Sequence, residues 1–315
     1  MAVAKEDNPR STPVEMKSHG IRVALAGVGR WGANYLHTLT DVPGCSLVGI
    51  AETDPAHARA LSDGHPQPVY ADVEELIERT APDAFIIATP DFTHADLARA
   101  ALESGCDVLV EKPMALATAD ALALETLAAN KNRVLAVGQT SLYHPAFHKA
   151  RSELARRAIG QPLRARNIRT SRGIPGSDLL WDLAPHSVAV ALCLFGEPSK
   201  AAASRDGDTA LLRLNFPEVE YEARLEWSPG PTKRRLTIEG TEGTLQVDEA
   251  YLPPNRTPPL TLLCRDFISA CRTRRPPLAD ARLGVQVVAC IEAAIAGRDL
   301  APCPAETMAC APTFP

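Results

Sequence analysis

The sequence predicts an α/β protein in two parts: a doubly wound parallel sheet, then an α+β unit built on an open, mostly antiparallel sheet. Three observations carry this. From Ile21 to Val137 short apolar runs alternate with helical patterns, the grammar of βαβ units. Those runs are nearly continuous in Val, Ile, Leu and Ala, as strands covered on both faces should be. After about Thr140 the strand signals are separated by Gly, Pro and Asp turns, the pattern of an antiparallel meander.

In order, strands are expected at Ile21 to Val28, Ser46 to Glu52, Ala84 to Thr89, Asp107 to Val110 and Arg133 to Val137. Helices fill the gaps at Trp31 to Leu39, Ala56 to Leu61, Val73 to Glu78, His94 to Leu102 and Ala119 to Ala129. Asp91 or Thr93 and Thr118 are candidate caps, and Gly105 a helix stop. Pro145 suits the first turn of a helix to about Ala158. An extended stretch, Leu163 to Thr170, leads through the loop Gly173 to Gly176 into a helix, Leu179 to Leu194. Strands follow at Ala210 to Asn215, Tyr221 to Trp227, Arg235 to Glu239 and Thr244 to Val247, then helices at Leu260 to Arg272 and Arg282 to Ala296. The division is a disordered leader over 1–19, a nucleotide-binding unit over 20–139, a substrate and association unit over 140–300, and an irregular tail over 301–315.

The 315 residues suffice for two cores, and 45% apolar with 23% charged residues is ordinary globular composition. A net charge of -5 gives no basic field for nucleic acid or an anionic membrane, and no apolar run approaches a membrane span. The basic runs Lys233-Arg234-Arg235 and Arg272 to Arg275 read as a solvated strand edge and helix end. Eight cysteines without a CxxC pair read as free thiols in a reducing cytoplasm, and no metal-ligand set is present.

The first strand runs into Gly27-Val28-Gly29-Arg30-Trp31-Gly32, a GxGxxG turn opening a helix. In a Rossmann unit Gly27 allows the tight turn, Gly29 the approach of a pyrophosphate, and Gly32 close helix–strand packing. The helix N-terminus then offers N–H groups and partial positive charge to the phosphates. Glu52, at the end of the second strand, is placed to take the adenosine ribose hydroxyls and repel a 2′-phosphate, so NAD is expected in preference to NADP.

Thr89-Pro90-Asp91-Phe92-Thr93-His94, Val110-Glu111-Lys112-Pro113, Gly138-Gln139, Trp181-Asp182-Leu183-Ala184-Pro185-His186 and Gly240-Thr241-Glu242-Gly243-Thr244 follow in that order. The set resembles the glucose–fructose oxidoreductase/inositol dehydrogenase family from Ile21 to about Leu300, most specifically in Glu-Lys-Pro joined to Asp-x-x-x-His. The wording around Asp182 is most similar to the UDP-N-acetylglucosamine and uronate 3-dehydrogenases. This chain departs from that subgroup at Ser187, where an Asp is common, at Gln139, where a His is usual, and in a short segment between Glu197 and Thr209. The resemblance implies a homodimer or homotetramer, a cis Lys112–Pro113 bond, and a catalytic trio in which His186 is the base and Lys112 and Asp182 assist. Arg30, Trp31, Thr89, Pro90, His94, Glu111, Lys112 and Gln139 join the glycines and Glu52 as expected cofactor contacts.

The residues themselves support alcohol chemistry. Asp182 and His186, four apart on a helix, share a face, and a carboxylate one turn away can orient an imidazole that titrates near neutrality. Lys112 ends a central strand, where open α/β sheets hold ligands, and an ammonium there favours a developing alkoxide. His94 is either a helix-cap residue or a nicotinamide contact, Tyr143 and His144 line the pocket or pack the hinge, and Arg169 and Arg172 could hold a diphosphate or carboxylate. The remaining histidines, His57 among them, read as surface residues. The expected activity is hydride transfer between nicotinamide and a secondary alcohol or ketone of a sugar, nucleotide sugar or cyclitol. The alternatives are an imine or enamine reductase and a non-catalytic NAD-sensing protein. The uncovered sheet face is expected to be apolar enough for self-association.

Overall fold

Six short apolar runs form one sheet. The computed structural model describes residues 20–173 and 176–300; the expected leader and tail, with Cys303 and Cys310, lie outside the described residues. In the first unit β1 (Ile21–Ala26), β2 (Cys45–Ala51), β3 (Val69–Tyr70), β4 (Ala84–Ile87), β5 (Asp107–Val110) and β6 (Leu135–Val137) pair in the order β3-β2-β1-β4-β5-β6, all parallel. Strands β4 and β5 are buried along their whole length, which is why their sequences do not alternate. The strand order reverses between β1 and β4, and ligands of open α/β sheets bind at the carboxyl ends beside such a switch point.

Helices α1 (Gly32–Leu39), α2 (Pro55–Gly64), α3 (Val73–Thr80), α4 (His94–Glu103) and α5 (Thr118–Asn130) complete this unit. Asp54 and Asp72 cap α2 and α3 by accepting the amides of His57 and Glu75. The expected caps of α4 and α5 are corrected. Thr93 makes no side-chain cap bond, and Thr118 lies inside α5, its amide donating to a Glu292 carboxylate from elsewhere in the chain (2.9 Å). Gly105, at φ +85, does follow the end of α4 in a left-handed conformation that a side chain would resist.

The second unit contains α6 (Pro145–Ala155), β7 (Pro162–Ser171), α7 (Leu179–Phe195), β8 (Lys200–Asp206), β9 (Thr209–Asn215), β10 (Glu220–Trp227), β11 (Arg234–Gly240), β12 (Thr244–Asp248), α8 (Pro259–Thr273) and α9 (Ala281–Ala296). Its sheet runs β12-β11-β7-β10-β9-β8; only β7 and β10 are parallel. Two strands, β3 and β8, were not foreseen. The first has two residues, and β8 (KAAASRD) is an edge strand of small and polar residues with one fully buried position.

One face of this sheet is covered by α7, which packs on β7, β9 and β10 and also against α9. In turn α9 packs on α5 and β6, and Trp181 of α7 touches both hydrophobic cores, so the two units share a continuous seam. The other face differs from the expected apolar one. Strand alternation turns Arg164, Arg166, Arg213 and Arg235 outward, and they pair with Glu220, Glu239, Glu222 and Asp248. Ile168 is the exposed large apolar residue of β7 on this charged ladder.

The basic run at the end of α8 is likewise more than a solvated helix end. Arg274 donates twice to the buried Asp107 carboxylate at the start of β5 (2.6 and 2.9 Å), and Asp107 also accepts the Val134 amide at 2.9 Å.

Candidate active site

At the end of β1 the chain turns at Gly27 (φ +79), where a Cβ would lie 2.8 Å from the Ala88 carbonyl oxygen. A Cβ on Gly32 would collide with the Gly27 carbonyl, so α1 can pack this closely only with glycine there. Gly29 has open space where a side chain would stand, and α1 begins without a side-chain cap. Free amides and an open approach make this a place for a phosphate.

Glu52 lies one residue beyond β2 and faces the same turn. Its carboxylate accepts the amides of Val28 and Asp54, each at 3.1 Å, and His57 Nδ1 approaches it at 3.2 Å. His57 lies at the surface as expected, 41% exposed, but it has a companion in Glu52, for which its position two residues into a helix that starts beside Glu52 is the available signal.

Three of the expected cofactor contacts, Glu111, Trp31 and His94, are hydrogen-bonded within the protein. Glu111 is buried: Oε1 accepts the Trp31 indole N–H and the Tyr35 hydroxyl (2.6 Å for the latter), and Oε2 the Lys112 amide at 3.1 Å. Burial pushes both the Glu111 carboxyl and the Tyr35 phenol above their usual pKa values. This cluster fastens α1 to the end of β5, so Glu111 and the Trp31 N–H engage each other instead of presenting polar atoms to the cleft. His94 is also buried, with Nδ1 2.7 Å from the Pro113 carbonyl oxygen and Nε2 2.9 Å from that of Thr89. It joins the loops after β4 and β5, which carry Thr89 and Pro90 on one side and the cis Lys112–Pro113 bond on the other. Arg30 and Pro90 are exposed beside the glycine turn, and Thr89 shares a hydroxyl contact with Thr93 (2.6 Å).

Lys112 crosses from the first unit to the second. Its Nζ donates to Asp182 Oδ1 at 2.9 Å and to the Asp182 carbonyl oxygen at 2.8 Å. Asp178 caps α7 by accepting the Leu180 and Trp181 amides, which sets Asp182 in the first turn. Pro185 lacks an N–H for the Trp181 carbonyl, so the ladder is broken next to the carbonyl that takes Lys112.

His186 lies one turn further along α7, and here a correction is needed: Asp182 holds Lys112, and no hydrogen bond joins it to the imidazole. His186 Nδ1 is enclosed without a partner among the described residues, leaving Nε2 as the more open nitrogen. Burial, then the positive charges of Arg169, Lys112 and Arg234, hold the imidazole well below its ordinary pKa.

Gln139, just past β6, is almost fully buried, yet neither its amide oxygen nor its nitrogen has a partner among the described residues. Tyr143 packs the hinge, donating to Asp266 (2.7 Å), and His144 caps α6 through Nδ1. Of the two arginines before α7, Arg169 is buried and donates to Glu249 at 2.8 Å and Ser141 at 3.1 Å, whereas Arg172 is exposed.

The residues present fit a dinucleotide on three counts: the open space at Gly29, the anchored carboxylate of Glu52, and the unpartnered buried amide of Gln139.

Comparison with known proteins bears on the same region. A family model described as "Oxidoreductase family, NAD-binding Rossmann fold" (GFO_IDH_MocA) matches residues 21–139. The chain is 30% identical to scyllo-inositol 2-dehydrogenase (NAD(+)) of Bacillus subtilis (strain 168), over 73% of this chain and 74% of that one. It is 32% identical to inositol 2-dehydrogenase 1 of Saccharopolyspora erythraea, over 62% of this chain and 63% of that one. A solved structure from Magnetospirillum magnetotacticum MS-1 is 32% identical with a TM-score of 0.77, covering 87% of this chain and 99% of that one. The chain spans slightly less than two thirds of the length of the first curated relatives it matches, 66% and 63%.

Proposed function

This chain belongs to the GFO/IDH/MocA oxidoreductase family, and from that premise we propose that it is an NAD-dependent dehydrogenase of a secondary alcohol on a sugar, nucleotide sugar or cyclitol. The observation that carries the reading is the bridge from Lys112, at the end of β5, to Asp182 on α7, with His186 one turn on. The bridge supports the reading because Lys112 bonds Asp182 directly and its charge acts on His186.

Gly27, Gly29, Gly32 and the start of α1 hold the pyrophosphate, Glu52 the adenosine ribose, and Thr89, Pro90 and Gln139 line the path toward the nicotinamide. The bound nicotinamide supplies the hydride acceptor. The Lys112 ammonium, steadied by Asp182, binds the reacting hydroxyl and favours its alkoxide. His186, uncharged at neutral pH, takes the hydroxyl proton at Nε2. An imidazole held neutral is a poor proton donor, which favours alcohol oxidation over imine reduction. A protein that only senses NAD would have no use for the Lys112–Asp182 bridge.

NAD is the assigned cofactor because Glu52 faces the ribose position with its carboxylate anchored. The nucleotide unit is assigned to 20–139 and the substrate and association unit to 140–300. We assign the protein to the cytoplasm and to a homo-oligomer joined through the charged sheet face. No helix among the described residues is long and apolar enough to cross a membrane.

The test is cofactor reduction across inositols, free sugars and nucleotide sugars, in parallel with NAD and NADP binding. Reduction of NAD with at least one group, lost in Lys112→Ala, is the expected result. Tighter binding of NADP than NAD would overturn the cofactor assignment.

A further inference from the structure

The covered face of the second sheet ends in charge. Going along β7 and β11, the inward cross-strand pairs are Ala165–Ile238, Asn167–Leu236 and then Arg169–Arg234. Two guanidinium groups placed opposite one another repel. A single carboxylate answers them: Glu249 accepts from Arg169 at 2.8 Å, with both side chains almost wholly enclosed. Arg234 has no side-chain hydrogen bond or ion pair among the described residues, although its neighbour Arg235 points to the other face and pairs with Asp248 at 3.3 Å. Moreover, the Arg169 Nε–H is enclosed without an acceptor.

This corner adjoins the candidate active site. Ser141, two residues past Gln139, bonds both Arg169 and Glu249, and the two arginines act with Lys112 on His186. The Lys112 charge is matched by Asp182 and that of Arg169 by Glu249, which leaves Arg234 in excess. An exposed cation beside the enclosed, unmet Arg169 N–H is stabilised by an anion, through charge-assisted hydrogen bonds. A neutral polyol offers nothing to offset that charge.

We propose that Arg234, backed by Arg169, forms an oxyanion subsite, and that the substrate is an acidic sugar whose carboxylate or phosphate docks there while a hydroxyl meets Lys112 and His186. This rests on the dehydrogenase reading above and narrows its substrate class. Arg169 is a positioning residue here, since Glu249 and Ser141 fix its guanidinium; Arg234 makes the contact.

Calorimetric titration of the NAD-loaded protein with D-glucuronate, D-glucose 6-phosphate and myo-inositol tests it without requiring turnover. At least one acidic sugar should bind about tenfold more tightly than myo-inositol. Arg234→Gln should remove that advantage, and Arg235→Gln, on the opposite face, should keep it. Preference for glucuronate identifies a carboxylate, and preference for the phosphate identifies a phosphoryl group. Equal or tighter binding of myo-inositol, no binding of either acid, or an unchanged preference in Arg234→Gln overturns the subsite. Cofactor reduction, read separately, distinguishes the two claims. Turnover of neutral polyols without anion preference removes only the subsite, and anion binding with no reduction of NAD by any alcohol removes the dehydrogenase.

Discussion

Asp182 grips Lys112 twice, through its carboxylate and its carbonyl oxygen, and the imidazole of His186 is left to the field of three cations. Lys112→Ala and His186→Ala should each lower turnover by the ~10²–10⁴-fold typical of lost acid–base groups, with NAD affinity nearly unchanged. Asp182→Asn keeps the carbonyl contact and an acceptor oxygen, so its loss should be smaller, about tenfold, again by comparison with the acid–base range. The second prediction concerns pH. His186 is neutral in the fold but protonates near 6.5 when unfolded, so the unfolded chain binds more protons as pH drops below that value. Its contribution to stability is complete above about pH 6.5 and lost below it. Burial depresses His144 and His148 in the same direction, so the wild type carries all three effects. Thermal melts should show His186→Gln losing less stability than wild type between about pH 7 and pH 5. Equal losses would mean that the imidazole is not held neutral.

Among the elements, the link between α8 and β5 makes a stability claim that is independent of catalysis. Asp107 is buried, and Arg274 supplies its only ion pair among the described residues, so Arg274→Gln leaves a carboxylate short of charge. A fully buried pair broken this way costs about 3–5 kcal/mol. The Arg274 side chain is 41% exposed, so screening lowers the expectation to about 1–2 kcal/mol. Denaturant unfolding reads this directly; a change within error would make the pair a surface contact. The same elements show what the sequence could and could not disclose. Strand β5 was placed residue for residue, because Val108, Leu109 and Val110, set between Gly105 and Glu-Lys-Pro, have one reading. Strand β8 was not, since Ala, Ser and Lys carry little strand signal and pairing with β9 alone makes them extended. The glycine turn was legible from residue type and spacing, whereas Lys112, Asp182 and His186 were linked as a set by the family resemblance. The partner of Asp182, the interior roles of Glu111 and His94, and the inward aim of Arg234 depend on contacts between distant segments. For Arg234 alone a signal existed, because alternation with the apolar Leu236 and Ile238 puts it on the covered face.

For the whole molecule, the charged outer sheet face changes what association should look like. An interface built on arginine–glutamate ladders weakens as salt rises, whereas an apolar one does not. Light scattering should therefore find a homo-oligomer at low ionic strength that dissociates toward protomers in about molar salt; a monomer under all conditions would remove the association proposal. In the proposed function the nucleotide unit and the second unit together make one alcohol-oxidising site, with Lys112 from one and His186 from the other. Its most direct measurement is the rate of NAD reduction by the wild type and by His186→Ala on the best substrate of a sugar and inositol panel, with NAD binding measured on both. Turnover should fall by at least about a hundredfold with nearly equal NAD affinity. A His186→Ala protein that reduces NAD as fast as the wild type would contradict it.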